Sequence, residues 1–139
     1  GKLQTNKVKF VIPLFDYIHS LDNLKLAEKI SKEQNKLNKY LKIFIQINIG
    51  NENQKSGIDP SKLSDFYKTC THELKLNIIG LMCIPPQNSV GTYFSKMQKL
   101  NNSLNLKELS MGMSGDYLEA IKYGSSFLRI GSKIFGLRN

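Results

Sequence analysis

The feature that most constrains this chain is a repeated alternation: short apolar, often β-branched runs, each followed by a stretch with helical periodicity. Lys42-Ile43-Phe44-Ile45-Gln46-Ile47-Asn48-Ile49 is nearly continuous in apolar character, as befits a strand covered on both faces. Tyr17-Ile18-His19-Ser20 precedes it as a shorter strand pattern, and Leu21, Leu24, Ala27 and Ile30 between them predict a helix with Asp22 as its cap. Leu63, Phe66, Tyr67 and Cys70 fall at i, i+3, i+4 and i+7 after Pro60 and Ser61, the signature of a helix with one buried face. The cycle then recurs. Leu76 to Ile84 reads as a strand stopped by Pro85-Pro86, and Tyr93, Phe94, Met97 and Leu100 as a helical stripe. Leu109-Ser110-Met111 reads as a strand, Asp116 to Tyr123 as a helix closed by Gly124, and Phe127-Leu128-Arg129-Ile130 as a last strand.

Strand–helix alternation without hairpin signals implies parallel strands joined by right-handed crossovers. Two α/β architectures fit: an open doubly wound sheet, or part of a (β/α)₈ barrel. A whole barrel takes ~250 residues, whereas this chain has 139 and about five strands. Periodicity leaves the choice open, but both architectures place their chemistry in the loops leaving the carboxyl ends of the strands.

Charge and composition narrow the function. Lys+Arg 20 against Asp+Glu 11 gives a net charge of +9, which raises the question of nucleic acid. The lysines are nevertheless scattered. Beyond Lys25, Lys29, Lys32, Lys36 and Lys39 they occur singly, and Arg129 and Arg138 are the two arginines. Base readout and phosphate clamping favour Arg, so a solvated surface explains the charge better than a nucleic-acid partner. No apolar run approaches the ~18 residues of a membrane span and no leader pattern opens the chain, so a cytoplasmic protein without a membrane partner is expected. Cys70 and Cys83 lack metal-ligand spacing and read as reduced, buried thiols. His19 and His72 show no carboxylate partner, which leaves a Ser/His/Asp triad without basis.

Two loops carry the strongest chemical signals. Ser110-Met111-Gly112-Met113-Ser114-Gly115-Asp116 joins a strand to a helix start, where free N–H groups and the helix dipole suit a phosphate. The plainer alternative is a tight turn with Ser114 or Asp116 as N-cap. Arg129-Ile130-Gly131-Ser132 ends the next strand: Gly131 lets a ligand approach the backbone, and Ser132 offers a hydroxyl and an N–H. Arg129 leaves the strand opposite Leu128 and Ile130, on the face of Phe127. In a chain that uses Lys for almost every cation, that Arg points to a task needing a planar, permanently charged donor. Lys55, in the loop after the Lys42 to Ile49 strand, is a third candidate as a rim contact, against the plainer reading of a solvated loop lysine.

Beyond these readings, several segments resemble one family. Gly1-Lys2-Leu3-Gln4-Thr5-Asn6-Lys7, Ile45-Gln46-Ile47-Asn48-Ile49, Lys55-Ser56-Gly57-Ile58, Gly80-Leu81-Met82-Cys83-Ile84-Pro85, Leu109-Ser110-Met111-Gly112-Met113-Ser114 and Arg129-Ile130-Gly131-Ser132-Lys133-Ile134-Phe135-Gly136 are similar, in order, to the pyridoxal phosphate homeostasis proteins, single-domain relatives of the alanine racemase barrel. The resemblance implies a partial (β/α)₈ TIM barrel of the alanine racemase N-terminal-domain type. It also implies pyridoxal 5'-phosphate (PLP) as cofactor, held by Ser110, Met111, Met113 and Ser114 in a first phosphate loop and by Gly131 and Ser132 in a second. Arg129 matches the residue that faces the pyridine nitrogen.

Family members hold PLP as a Schiff base on a lysine of the first strand, and the motifs that surround that lysine are not found here. Residues 1–139 are therefore expected to be the C-terminal three-fifths of one PLP-binding barrel domain, with that lysine outside this chain. The implied role is a non-catalytic carrier that buffers PLP and hands it to PLP-dependent apoenzymes, as a monomer at full length. A PLP-dependent racemase of the same barrel type is the rival, and would need a catalytic group from a second domain.

Overall fold

A computed structural model describes residues 1–53 and 56–138. Its elements alternate as the apolar runs predict. The strands are β1 (Tyr17–Leu21), β2 (Lys42–Gln46), β3 (Asn77–Met82), β4 (Glu108–Met113) and β5 (Phe127–Arg129). The helices are α1 (Val8–Val11), α2 (Leu24–Leu37), α3 (Leu63–Lys68), α4 (Val90–Ser103), α5 (Tyr117–Lys122) and α6 (Ser132–Phe135). The strands form one sheet in the order β1-β2-β3-β4-β5, every neighbouring pair parallel. Strands adjacent in sequence are thus adjacent in space, the order of a barrel rather than of a doubly wound sheet, whose order reverses at a switch point.

Alternation along each strand sorts the side chains into two layers. Ile18, Ile43, Ile45, Leu81, Leu109 and Met111 face the helices and join the main apolar core with Leu26, Ala27 and Ile30 of α2, Phe94 and Met97 of α4 and Ala120 of α5. The other face carries Tyr17, His19, Phe44 and Phe127, whose rings pack on one another. His19 on the first strand and Phe127 on the last have ring centroids 5.5 Å apart. In a flat sheet four strand spacings would separate those strands by ~19 Å. The sheet is therefore curled into a half-barrel with the aromatic layer on its concave side.

Local differences from the sequence reading have simple causes. Leu21 is the buried end of β1, and α2 begins at Leu24, with Asn23 rather than Asp22 as its cap: Asn23 Oδ1 accepts the Leu26 N–H at 2.8 Å. The buried face of α2 is Leu26, Ala27, Ile30 and Gln34, so the three-residue spacing through Leu24, which is exposed, is incidental. β2 leaves the regular ladder at Gln46, and Ile47 continues only as an isolated bridge to Ile58. The four-residue helices α1 and α6 have too few turns to show a periodicity. Cys70 and Cys83 are free and buried, as their apolar surroundings predict.

Candidate functional site

Curling the sheet brings the carboxyl ends of the strands around a cleft of about 770 Å³, whose lining includes Tyr17, His19, Gln46, Asn48, Met82 and Arg129. Arg129 enters it from the end of β5. Its register partner on β4 is Met113, and on the concave face it meets Ser110, three residues earlier. Two bonds fix the guanidinium: Nη1 donates to Ser110 Oγ at 2.6 Å, and Nη2 donates to the Cys83 carbonyl at 2.7 Å. The half-buried side chain therefore bridges the ends of β3, β4 and β5. A guanidinium has five donors in one plane, so these two bonds leave others for a ligand in the cleft. Burial lowers the Arg129 pKa from its ordinary value, yet an arginine so placed remains a cation at neutral pH.

Ser110 has a second partner, His19 Nδ1 at 2.8 Å. Ser110 is fully buried, and His19 lies stacked on Phe44 with centroids 4.3 Å apart. Burial first, and the nearby Arg129 charge second, push the His19 pKa below its usual 6.5.

The two phosphate-type loops are tied together through one oxygen. Ser114 Oγ accepts the N–H groups of Gly131 and Lys133, each at 3.2 Å. Asp116, not Ser114, stands at the N-cap position of α5, but its side chain makes no capping bond there. Asp116 Oδ1 instead accepts the Met113 N–H at 2.7 Å and so closes the turn from within. Gly112, at φ +103, lets β4 turn into this loop where an added Cβ would lie 2.7 Å from Ala120 Cβ.

The sequence candidates thus fall into distinct places. Ser110 and Arg129 meet directly. Ser114 and Gly131 meet in the segments that follow β4 and β5, where Ser114 lines a separate depression with Asp116 and Lys133, and Ser132 is next in chain and exposed. Met111 is fully buried on the helix-facing side, its N–H and carbonyl both bonded to Ser125 Oγ, and Met113 is half-buried with its N–H bonded to Asp116. Lys55 lies outside the described residues. Sequence reasoning missed His19 and the Cys83 carbonyl. His19 carried one signal, a polar residue whose strand neighbour Ile18 faces the core.

Comparison with known proteins agrees with this architecture. Residues 3–139 match the family described as alanine racemase, N-terminal domain. The pyridoxal phosphate homeostasis protein of Aquifex aeolicus is 38% identical over 148 residues, which cover 99% of this chain and 65% of that protein. The protein of the same name from Pasteurella multocida is 38% identical over 150 residues, covering 100% of this chain and 64% of its own length. The chain thus spans just under two thirds of the length of these curated relatives. A structure of PipY from Synechococcus elongatus with PLP bound superposes with a TM-score of 0.88 at 31% identity, covering 98% of this chain and 68% of PipY. With its parallel half-barrel and its match over residues 3–139, the chain belongs to the alanine racemase N-terminal domain family, alongside the pyridoxal phosphate homeostasis proteins.

Proposed function

We propose that this chain binds PLP and serves a cytoplasmic carrier that holds the vitamer and releases it to PLP-dependent apoenzymes, without turnover of its own. The observation that carries this reading is Arg129, a cation pinned by Ser110 Oγ and the Cys83 carbonyl at the wall of the cleft. The residues present fit a phosphorylated pyridine. Two backbone N–H groups, of Gly131 and Lys133, already converge on a single oxygen acceptor at Ser114, in the segments that follow β4 and β5. A cleft of about 770 Å³ lies within the range of small-ligand sites. The curated relatives named for PLP homeostasis, and PipY solved with PLP, support the same ligand.

PLP supplies an electrophilic aldehyde and an electron-accepting ring. Arg129 acts on the second property. Facing the pyridine nitrogen, as the resemblance implies, its guanidinium would donate a hydrogen bond there and, having no proton it can give up, would leave that nitrogen unprotonated. An enzyme that exploits the ring as an electron sink places a carboxylate there instead. The arrangement therefore favours holding PLP over activating it. Ser114, Gly131, Ser132 and the Lys133 N–H would hold the phosphate, with Met113 shaping the first loop through its bond to Asp116.

The test is a titration of the chain with PLP, followed by absorbance and by competition with inorganic phosphate, with Arg129→Lys alongside. Saturable, phosphate-sensitive binding is expected, about tenfold weaker in the lysine variant, because a point cation cannot serve two acceptors and a ligand in one plane. Absence of saturable binding overturns the ligand. Racemisation of alanine by the PLP-loaded chain overturns the carrier role in favour of the racemase.

A further inference from the structure

We propose that His19 is a positioning residue of this site: it takes the Ser110 hydroxyl proton in a hydrogen bond, which turns the Ser110 oxygen towards Arg129 and fixes the guanidinium at the cleft. The inference rests on the PLP-binding reading above and adds its control by a residue of the first strand, 91 positions from the Ser110 it holds.

Hydrogen-bond accounting carries the case. Ser110 Oγ has one hydrogen to donate, and Arg129 Nη1, 2.6 Å away, can only donate. The hydroxyl hydrogen must therefore point elsewhere, and His19 Nδ1 lies 2.8 Å from the oxygen. Nδ1 accepts, which makes His19 the neutral tautomer carrying its hydrogen on Nε2. A relay results, from Arg129 to Ser110 to His19. The imidazole is kept in place by its stack on Phe44 at 4.3 Å and its edge contact with Phe127 at 5.5 Å.

Protonation of His19 reverses the relay. Nδ1 would then donate, Ser110 Oγ would face two cationic donors, and the hydroxyl hydrogen would lose its acceptor. The charged groups around the imidazole favour the neutral form. Arg129 approaches from β5, and Lys42 of β2 lies 5.3 Å over the Tyr17 ring. Tyr17 of β1 packs 6.2 Å from His19, Glu108 precedes Ser110 by two residues on β4, and the Cys83 thiol at the end of β3 stays neutral with its pKa pushed up to about 12. Grip on PLP is therefore strongest when His19 is neutral and weakens as acid charges it.

Two variants separate the acceptor from the ring. His19→Phe keeps the stack and removes the acceptor; His19→Asn removes the ring and keeps an acceptor near the Nδ1 position. PLP affinity is measured for wild type and both variants from about pH 8 to pH 5, with the asparagine variant cancelling the titration of PLP itself. At the alkaline end the phenylalanine variant is expected to bind about tenfold more weakly, and the asparagine variant within about twofold of wild type. Wild-type affinity relative to the asparagine variant is expected to fall as pH drops below 6.5, the ordinary histidine value. The proposal is overturned if the phenylalanine variant follows wild type throughout, or if the asparagine variant is as weak as the phenylalanine one. Nitrogen-15 spectra of the ligand-free chain give an independent readout: a bare Nδ1 on His19 in wild type, and Arg129 guanidinium protons resolved in wild type and His19→Asn but averaged in His19→Phe. If wild type fails to bind PLP, the functional reading falls, and these spectra alone decide the positioning role; identical Arg129 signals in all three proteins overturn it.

Discussion

Gly80→Ala tests how the sheet is built, because Gly80 stands at the tightest seam of the half-barrel. Between β2 and β3 the register passes from Ile43↔Ile78 to Phe44↔Gly80, so Ile79 is an extra residue and β3 bulges just before Gly80. The bulge drives the Gly80 backbone against its register partner on the other side, Glu108. An added Cβ would collide with the Glu108 carbonyl, 2.6 Å from its carbon, and come within 2.9 Å of Phe44 Cε1. Neither neighbour yields easily, since Glu108 is ladder backbone and Phe44 is fully buried under His19. Overpacking costs about 1–3 kcal/mol, and separating β3 from β4 adds the loss of one or more ladder hydrogen bonds at about 1 kcal/mol each. The expected destabilisation is about 3 kcal/mol, which at ~4 °C per kcal/mol lowers the midpoint by roughly 12 °C. Circular-dichroism melts of the chain measure it, with Gly115→Ala as reference, since a Cβ there meets nothing within 4 Å. The reference is expected to stay within about 0.5 kcal/mol of wild type. A Gly80→Ala melt indistinguishable from the reference refutes the seam, and with it the register that brings Phe44 beneath His19.

Three further outcomes follow from local chemistry. Asn23→Ala removes the oxygen that accepts the Leu26 N–H at 2.8 Å and should cost about 1 kcal/mol in urea unfolding, whereas Asp22→Ala should cost less than half of that; equal losses would return the capping role to Asp22. Folding stability should decline as pH falls below 6.5, because His19 has a lowered pKa when folded, so the unfolded chain binds the extra proton. Urea midpoints at about pH 7.5 and 5.5 measure that decline, and His19→Asn, lacking the titrating group, should show a shallower one. Cys70 and Cys83, both pushed up to about 12 by burial, should resist a thiol reagent at about pH 8 until denaturant is added; prompt labelling of the native chain would contradict their burial.

Strand existence was legible wherever a strand is covered on both faces, because burial leaves an unbroken apolar run, as in Ile43-Phe44-Ile45. Strand ends were less so. Ile47 and Ile49 stay buried after the chain has left the regular ladder, and hydrophobicity reports burial, not hydrogen bonding. Capping differed by one residue because Asp22 and Asn23 are both good caps by type, and only backbone geometry chooses between them. In the site, the face assigned to Arg129 followed from alternation alone, since Phe127 and Arg129 share it and both point into the concave layer.

What alternation could not supply is the partner. His19 and Ser110 are 91 residues apart, on the first and fourth strands, and no local pattern couples them. Their contact exists because the sheet curls, and the concave layer shows what fills the curl: Phe44 and Phe127 meet edge to face at 5.2 Å, and His19 lies against both. A flatter sheet would keep every strand run, every helix stripe and both Gly- and Ser-containing loops, yet His19 would sit far from Ser110, and the Ser110 hydroxyl would lose its acceptor. Arg129 would then be one more cation at a strand end. The aromatic layer is therefore part of the proposed binding site even where it lines no ligand contact, because it sets the curvature that converts residues on separate strands into a single hydrogen-bonded wall.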